Sequence, residues 1–337
     1  MQQTQTFSMT VTPPGDFTLS LIGGWRLQQP YCKGGLAIDF ATMRAWTLGH
    51  AQTVNLAGYD LPAMGTGTSY AAWPQVNQAR DYGSPYTVAG WSTIYGNQLY
   101  AAGLMWRDGK LWMSGKGFYA SGGSFPSTVV KKFTLSGSTA TLAETVTLSG
   151  RPMQAFGGGF VKGHPDGVLL GCGGYESGQG SRSGPCWMTL GGTVVNEFPV
   201  FDAPKELREK RPNNYSCAAS QWFVPPDGSV GYWFAGEVVG GGLVVGGKAC
   251  FWSLQGTGYC GYELQSPGFG TGTKQYLYRY GPGEHFGSHS EFATPGGGPV
   301  IGQEISADST RVYLLVREAW SDGWDPMPAV ACYEVGP

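Results

Sequence analysis

Two glutamates and a pair of histidines are the residues of this chain best suited to chemistry. Glu237 follows Tyr232-Trp233-Phe234-Ala235-Gly236, and Glu318 follows Tyr313-Leu314-Leu315-Val316-Arg317, so each closes an apolar run in the same register. An acid–base pair acting on a glycosidic bond needs carboxylates about 5–9.5 Å apart, one of them protonated near neutrality. Aligned positions in neighbouring repeat units would bring Glu237 and Glu318 to such a separation. The same positions equally suit strand-end carboxylates paired with Lys116 or Arg317. The second group is Glu284-His285-Phe286-Gly287-Ser288-His289-Ser290-Glu291, which holds two of the four histidines. A His-x-x-x-His spacing puts both rings on one side only within a helix, and Gly281, Gly283 and Gly287 oppose a helix. His285, His289 and Glu291 are therefore expected to supply polar contacts in a ligand loop. A metal there would recruit His50 as a third ligand, but neither a metal nor a cofactor is expected.

Aromatic side chains are the third resource. Trp25, Tyr31, Trp73, Trp91, Tyr119, Tyr175, Trp320 and Trp324 fall outside the apolar pattern of the repeats. The run Glu318-Ala319-Trp320-Ser321-Asp322-Gly323-Trp324-Asp325 combines two tryptophans with three carboxylates, a mixture suited to a carbohydrate or a cation. Tyrosine and tryptophan also dominate protein interfaces.

These residues need a scaffold, and composition says which kind. The chain has 337 residues with 56 Gly, 22 Pro, 13% charged and 14% aromatic residues. Low charge and abundant aromatics exclude a disordered chain; Gly, Thr, Val, Tyr and Trp favour short strands and tight turns. Ala203–Arg211 reads as a short charged helical turn within a loop. A net charge of −2 without a basic run gives no footprint for nucleic acid or an anionic membrane surface. No apolar run approaches the roughly 20 residues of a membrane helix, and Met1–Gly15 does not read as a signal peptide. Seven cysteines without a Cys-x-x-Cys pair read mostly as packing residues, with a Cys250–Cys260 bridge left open.

A unit recurs five times, each with a small-residue opening strand, a tight turn and an apolar second strand. The openings are Gly34–Phe40, Ala101–Arg107, Phe156–Lys162, Ser216–Val224 and Ile301–Ala307. Turns such as Arg107-Asp108-Gly109-Lys110 carry the Asp-Gly that a two-residue hairpin requires. The second strands end on His50, Lys116, Gly173, Glu237 and Glu318, a ring expected at one mouth. Third strands end on Tyr59-Asp60-Leu61, Phe133-Thr134-Leu135, Met188-Thr189-Leu190, Trp252-Ser253-Leu254 and Tyr333-Glu334-Val335. Fourth strands are expected at Thr141–Leu148, Val194–Val200 and Lys274–Tyr280, with that of the first unit between Thr87 and Tyr95. The pattern predicts an all-β, five-bladed β-propeller in one domain, with blades near 32–95, 96–149, 150–202, 213–281 and 296–337. The last unit lacks a fourth strand, and Thr6–Thr12 beside Val330–Val335 would close the ring and remove its free edge.

The stretch Gly34-Gly35-Leu36-Ala37-Ile38-Asp39-Phe40, Trp46-Thr47-Leu48-Gly49-His50 and Tyr59-Asp60-Leu61-Pro62 resembles a repeat unit of uncharacterised bacterial and phage propeller proteins. That resemblance implies a propeller fold and a surface location. The chain also resembles the five-bladed arabinanase-like and fructan-active furanosidases, in which an Asp base or nucleophile opens the first inner strand. Here Lys33-Gly34-Gly35 stands at that point, Asp39 falls toward the strand's other end, and Glu237 would take an acid-like position.

The long connections Lys116–Pro126, Gly173–Gly184, Gly236–Gly247, Gly281–Pro299 and Glu318–Met327 gather on the face opposite the tight hairpins. The leading expectation is a non-enzymatic, surface-exposed propeller on a virion (tail or capsid-associated) or in the extracellular space. It would bind a glycan or a protein partner through His50, Lys116, Tyr119, Tyr175, His285, His289, Glu291, Trp320, Asp322 and Trp324. The alternatives are a glycoside hydrolase or polysaccharide lyase using Glu237 and Glu318, or a purely structural assembly protein.

Overall fold

The computed structural model describes residues 18–50, 55–84, 87, 99–117, 127–152, 300–308 and 310–336, with isolated strands between 160 and 280. Among the described residues the elements are strands and one turn of 3-10 helix, so the protein is all-β.

The chain enters through β1 (Thr18–Gln28) and forms a meander of β2 (Cys32–Asp39), β3 (Arg44–His50) and β4 (Leu56–Asp60). Successive side chains of a strand face opposite sides, and here both sides are buried. Leu36, Ile38, Ala45, Ala57 and Tyr59 enter one core, while Ala37, Trp46, Leu48 and Leu56 enter another. The chain then crosses the outer edge of β1 as β5 (Gly65–Thr66), a 3-10 turn (Tyr70–Ala72) and β6 (Gln75–Asn77). It returns to β4 as β7 (Arg80–Asp81). Thus the fourth strand of the first sheet is β7, earlier than the Thr87–Tyr95 stretch. Tyr82 fixes the return, because its N–H donates to the Leu56 carbonyl (3.0 Å) and its ring is buried beside Trp46.

The second sheet matches its sequence pattern: β8 (Leu99–Arg107), β9 (Lys110–Gly117), β10 (Ser127–Ser136) and β11 (Thr139–Pro152) form one antiparallel meander. At its first turn Asp108 (φ 52) and Gly109 (φ 69) both take the left-handed conformation of a type I′ hairpin. Trp106 stacks on Trp46 of the first sheet at 4.6 Å between ring centroids.

The middle of the chain departs from the repeat. The hairpin of β12 (Phe160–Lys162) and β13 (Val168–Leu169) is separate from that of β14 (Cys186–Met188) and β15 (Val194–Glu197). Val200 already belongs to β16 (Val200–Phe201), which joins β17 (Gln221–Phe223) and β18 (Tyr232–Phe234) in a sheet of their own. The third four-stranded meander is β19 (Val239–Val245), β20 (Lys248–Ser253), β21 (Tyr259–Glu263) and β22 (Tyr276–Tyr280). Within Ser216–Val224, β17 pairs antiparallel with the expected second strand as β18, but the meander that ends on β22 opens on β19. The run Gly240-Gly241-Gly242, read from sequence as part of a long loop, has the small residues that let two backbones approach, and β12 pairs in parallel at Gly242. The register sets Cys250 opposite Gly261 and Cys260 opposite Phe251, so the two cysteines are not cross-strand partners. Ala203–Arg211 lies outside the described residues.

The last meander is β23 (Val300–Ile305), β24 (Arg311–Ser321) and β25 (Pro326–Gly336). β1 runs antiparallel to β25, from Leu19 opposite Val335 to Arg26 opposite Ala329. With β24 on its other side, β25 has no free edge for Thr6–Thr12, and the expectation for that segment is replaced by Thr18–Gln28. The apolar anchors decide the choice. Trp25 (1% exposed) and Leu27 fill the core shared by the first and last sheets, between Tyr59, Leu315 and Val330. Trp73, also 1% exposed, covers Gly24, where any Cβ would collide with its ring and the Val330 carbonyl. Trp25 and Trp73 are thus core residues, contrary to their reading as loop aromatics.

The opening strands lie against one another. Gly302 of β23 packs on Gly35 and Leu36 of β2, where a Cβ would come within 2.8 Å of backbone. Two residues further along both strands, the Ile38 N–H donates to the Glu304 carboxylate (3.2 Å), so β2 and β23 run in the same direction. β8 adjoins β2 through Leu104 and Gly35, β12 adjoins β8 and β19, and β19 adjoins β23.

Candidate functional site

Because β2 and β23 run in the same direction, their first residues share one end of the fold. His50 pairs with Cys32, the first residue of β2, and Lys116 pairs with Tyr100 near the start of β8. Val316 pairs with Val300, the first residue of β23, and Glu318 lies just beyond it. Three of the five ring positions, His50, Lys116 and Glu318, therefore sit where the opening strands begin. Gly173, Glu237, Tyr119, Tyr175, His285, His289 and Glu291 lie outside the described residues. Glu318 falls where the β24–β25 register shifts, between Val316 and Trp320.

The connection from β24 to β25 emerges at this same end and is the best-defined part of the site. Asp322 Oδ1 accepts the N–H groups of Trp324 (3.3 Å) and Asp325 (3.2 Å), and Ser321 Oγ accepts that of Gly323 (3.1 Å). Gly323 has φ +119, which a side chain would strain. This self-bonded turn presents Trp324 with 95% of its surface exposed. Trp320, assigned to the same cluster from sequence, is only 9% exposed. Its indole N–H donates to the Pro328 carbonyl (3.0 Å), and the Arg26 guanidinium lies 5.1 Å from its ring centroid. The two tryptophans are divided: one faces solvent, the other anchors the loop to the core.

Tyr31 joins them. It follows β1, holds φ +53, and its N–H donates to the Pro326 carbonyl (3.2 Å). Its hydroxyl bonds the Asp325 carboxylate, which raises the tyrosine pKa above its ordinary value through that bond and the adjacent negative charge. Tyr31 is 44% exposed, so an aromatic ring and the Trp324 turn share one accessible patch. Sequence singled out each aromatic but not the link, since Tyr31 and Asp325 meet only through the β1–β25 ladder.

Two carboxylates are occupied elsewhere. Asp39 accepts the Ala41 N–H (3.1 Å) and the Thr42 hydroxyl (2.7 Å) in the β2–β3 turn, at the far end of β2. Glu304, which the sequence reading did not single out, is buried on β23 between the N–H groups of Ile38 and Ile305, both at 3.2 Å. Its identity is visible in sequence; its burial is not. Among the described residues no three His, Cys, Asp or Glu side chains converge as metal ligands.

Cys32 and Cys332 are free and buried. Burial pushes each thiol up to about 11, and Cys32 also donates to the Leu48 carbonyl (3.2 Å). The thiolate is the reactive form, so both cysteines should resist iodoacetamide at neutral pH and react once the chain is denatured. Peptide mapping by mass spectrometry checks this; labelling of native Cys32 at a free-thiol rate would contradict the packing.

No protein-family model matches the chain, and no curated protein is similar to it in sequence. Among solved structures it is similar to the PQQ-bound aldose sugar dehydrogenase of Streptomyces coelicolor, at 12% identity over 96% of this chain and 100% of that one (TM-score 0.43). It is also similar to the GH43 endo-arabinanase of Bacillus licheniformis, at 11% identity over 93% and 96% of the two chains (TM-score 0.43). The arabinanase of Bacillus subtilis gives 13% identity over 92% and 95% (TM-score 0.42). Likeness this remote assigns neither a substrate nor a catalytic residue.

Proposed function

We propose that this chain is a five-bladed propeller that binds a glycan or a protein partner through the face carrying Trp324 and Tyr31. The observation that carries the binding reading is Trp324, 95% exposed on a turn whose own polar groups are satisfied. A large apolar ring held out by a rigid turn contributes nothing to the core and has its surface free for a sugar face or a partner's pocket. Five blades are supported by the five adjoining opening strands β2, β8, β12, β19 and β23, and ring closure by the pairing of β1 with β25. A setting on a virion or outside the cell belongs to the same proposal. Hydrolysis by Glu237 and Glu318 is the second reading, favoured by the place of Glu318 at the end where the opening strands begin.

One experiment separates the two. The intact protein and Trp324→Ala are tested on immobilised glycans and on cell surfaces, and each retained polysaccharide is assayed for released sugar. Stacking on one aromatic contributes about 0.5–1.5 kcal/mol beyond area, so Trp324→Ala should weaken binding by up to about tenfold while no product forms. Unchanged binding by Trp324→Ala would remove the face from consideration. Product released by the intact protein and lost in Glu318→Gln would establish the hydrolase instead.

A further inference from the structure

The outer edges of the described sheets are not treated alike. The edge of β1 is covered by β5 and β6, and the first sheet ends in β7, only 2 residues long. The second sheet ends in β11, the longest described strand at 14 residues, and among the described residues nothing pairs with its outer side. Thr141 to Thr145 are exposed throughout, including the large apolar Leu142. Natural edge strands are blunted by lysine, proline or bulges. From Thr139 to Gly150 this edge has no lysine and no proline, and a single charge, Glu144, already bonded to Lys132 Nζ (2.9 Å). Its bulges lie where the register shifts opposite Lys132/Phe133 and opposite Ser127/Thr128, leaving Glu144–Leu148 as a regular stretch between them.

That stretch is complementary to itself. Antiparallel pairing with a second copy about Val146 sets Val146 opposite Val146, Thr145 opposite Thr147, and Glu144 opposite Leu148. Matched β-branched and Thr–Thr pairs stabilise adjacent strands, and no like charges face one another. A two-fold contact of this kind uses the same edge on both copies and therefore closes, while the flanking bulges stop the ladder from extending. We infer that β11 is a homodimerisation edge, pairing with β11 of a second copy over Glu144–Leu148 and joining two sheets into one continuous sheet.

Sedimentation of the intact chain up to about 200 µM should show a concentration-dependent dimer. Thr145→Glu/Thr147→Glu sets glutamate opposite glutamate twice across the axis and should weaken the dimer at least tenfold. The carboxylate introduced by Thr145→Glu would lie beside Lys131, whose Nζ now donates to the Thr145 hydroxyl (3.0 Å), so the monomer keeps its fold; an unchanged melting temperature in dilute solution checks this. Thr145→Glu/Thr147→Lys sets opposite charges across the same pairs and should retain or tighten the dimer. A chain that stays monomeric throughout, or a dimer indifferent to the double-glutamate variant, overturns the inference.

Discussion

Removal of residues 1–28, so that the chain begins after β1, is expected to abolish cooperative folding. β1 supplies Trp25 and Leu27, both buried between the first and last sheets. Their loss alone costs about 5–10 kcal/mol by analogy with large-to-small core substitutions, against a total stability of about 5–15 kcal/mol for an ordinary domain. The truncation also strips a partner from β25, β5 and β6 at once, leaving buried backbone donors and acceptors unpaired. Circular dichroism and size exclusion should report an aggregating chain with no sharp thermal transition. A synthetic Thr18–Gln28 peptide supplied in trans should recover part of the transition, since its ladder to β25 needs no covalent link. A truncated chain that melts cooperatively near the intact protein would show that β1 does not hold the first and last sheets together.

The second large effect distinguishes two tryptophans that composition treats alike. Trp320→Ala should destabilise the protein by about 3–5 kcal/mol, because it removes a buried ring from the core that contains Val316, Met327 and Ala329. It also leaves the Pro328 carbonyl without its indole donor and the Arg26 guanidinium without its ring. Trp324→Ala should leave the melting temperature within a degree or two and affect binding alone, its ring being in solvent. Parallel thermal melts and binding titrations of the two variants check the assignment. Reversed outcomes, with Trp324→Ala unfolding the protein, would contradict the turn geometry.

Much of this protein is a local matter, and local matters are legible. Hairpins such as Asp108-Gly109 follow from the positive φ of the turn, and the second meander follows from apolar strands spaced by turns. The all-β class follows from the same abundance of glycine and β-branched or aromatic residues. Sequence also placed the end of β3 at His50 and that of β9 within a residue of Lys116, whereas β24 runs past Glu318 to Ser321 and shortens the expected Glu318–Met327 connection.

What the sequence could not decide is which of several similar segments wins a long-range partner. Thr6–Thr12 reads as the closing strand and Trp25 as a loop aromatic, and only the fit of Trp25 and Leu27 into a core built by residues from both ends of the chain puts Thr18–Gln28 beside β25 instead. A glycine run reads as a loop until a neighbouring strand approaches it, as β12 does at Gly242. Burial is likewise a tertiary property: Trp73, Trp320 and Trp324 share one side chain, yet the first two are enclosed by β1 and by β25 while the third meets water. Composition and spacing therefore determined the all-β class, the second meander and the stock of candidate residues. The packing of the first sheet on the last decided which of those residues remain free to bind, because exposure depends on neighbours that are distant in the chain.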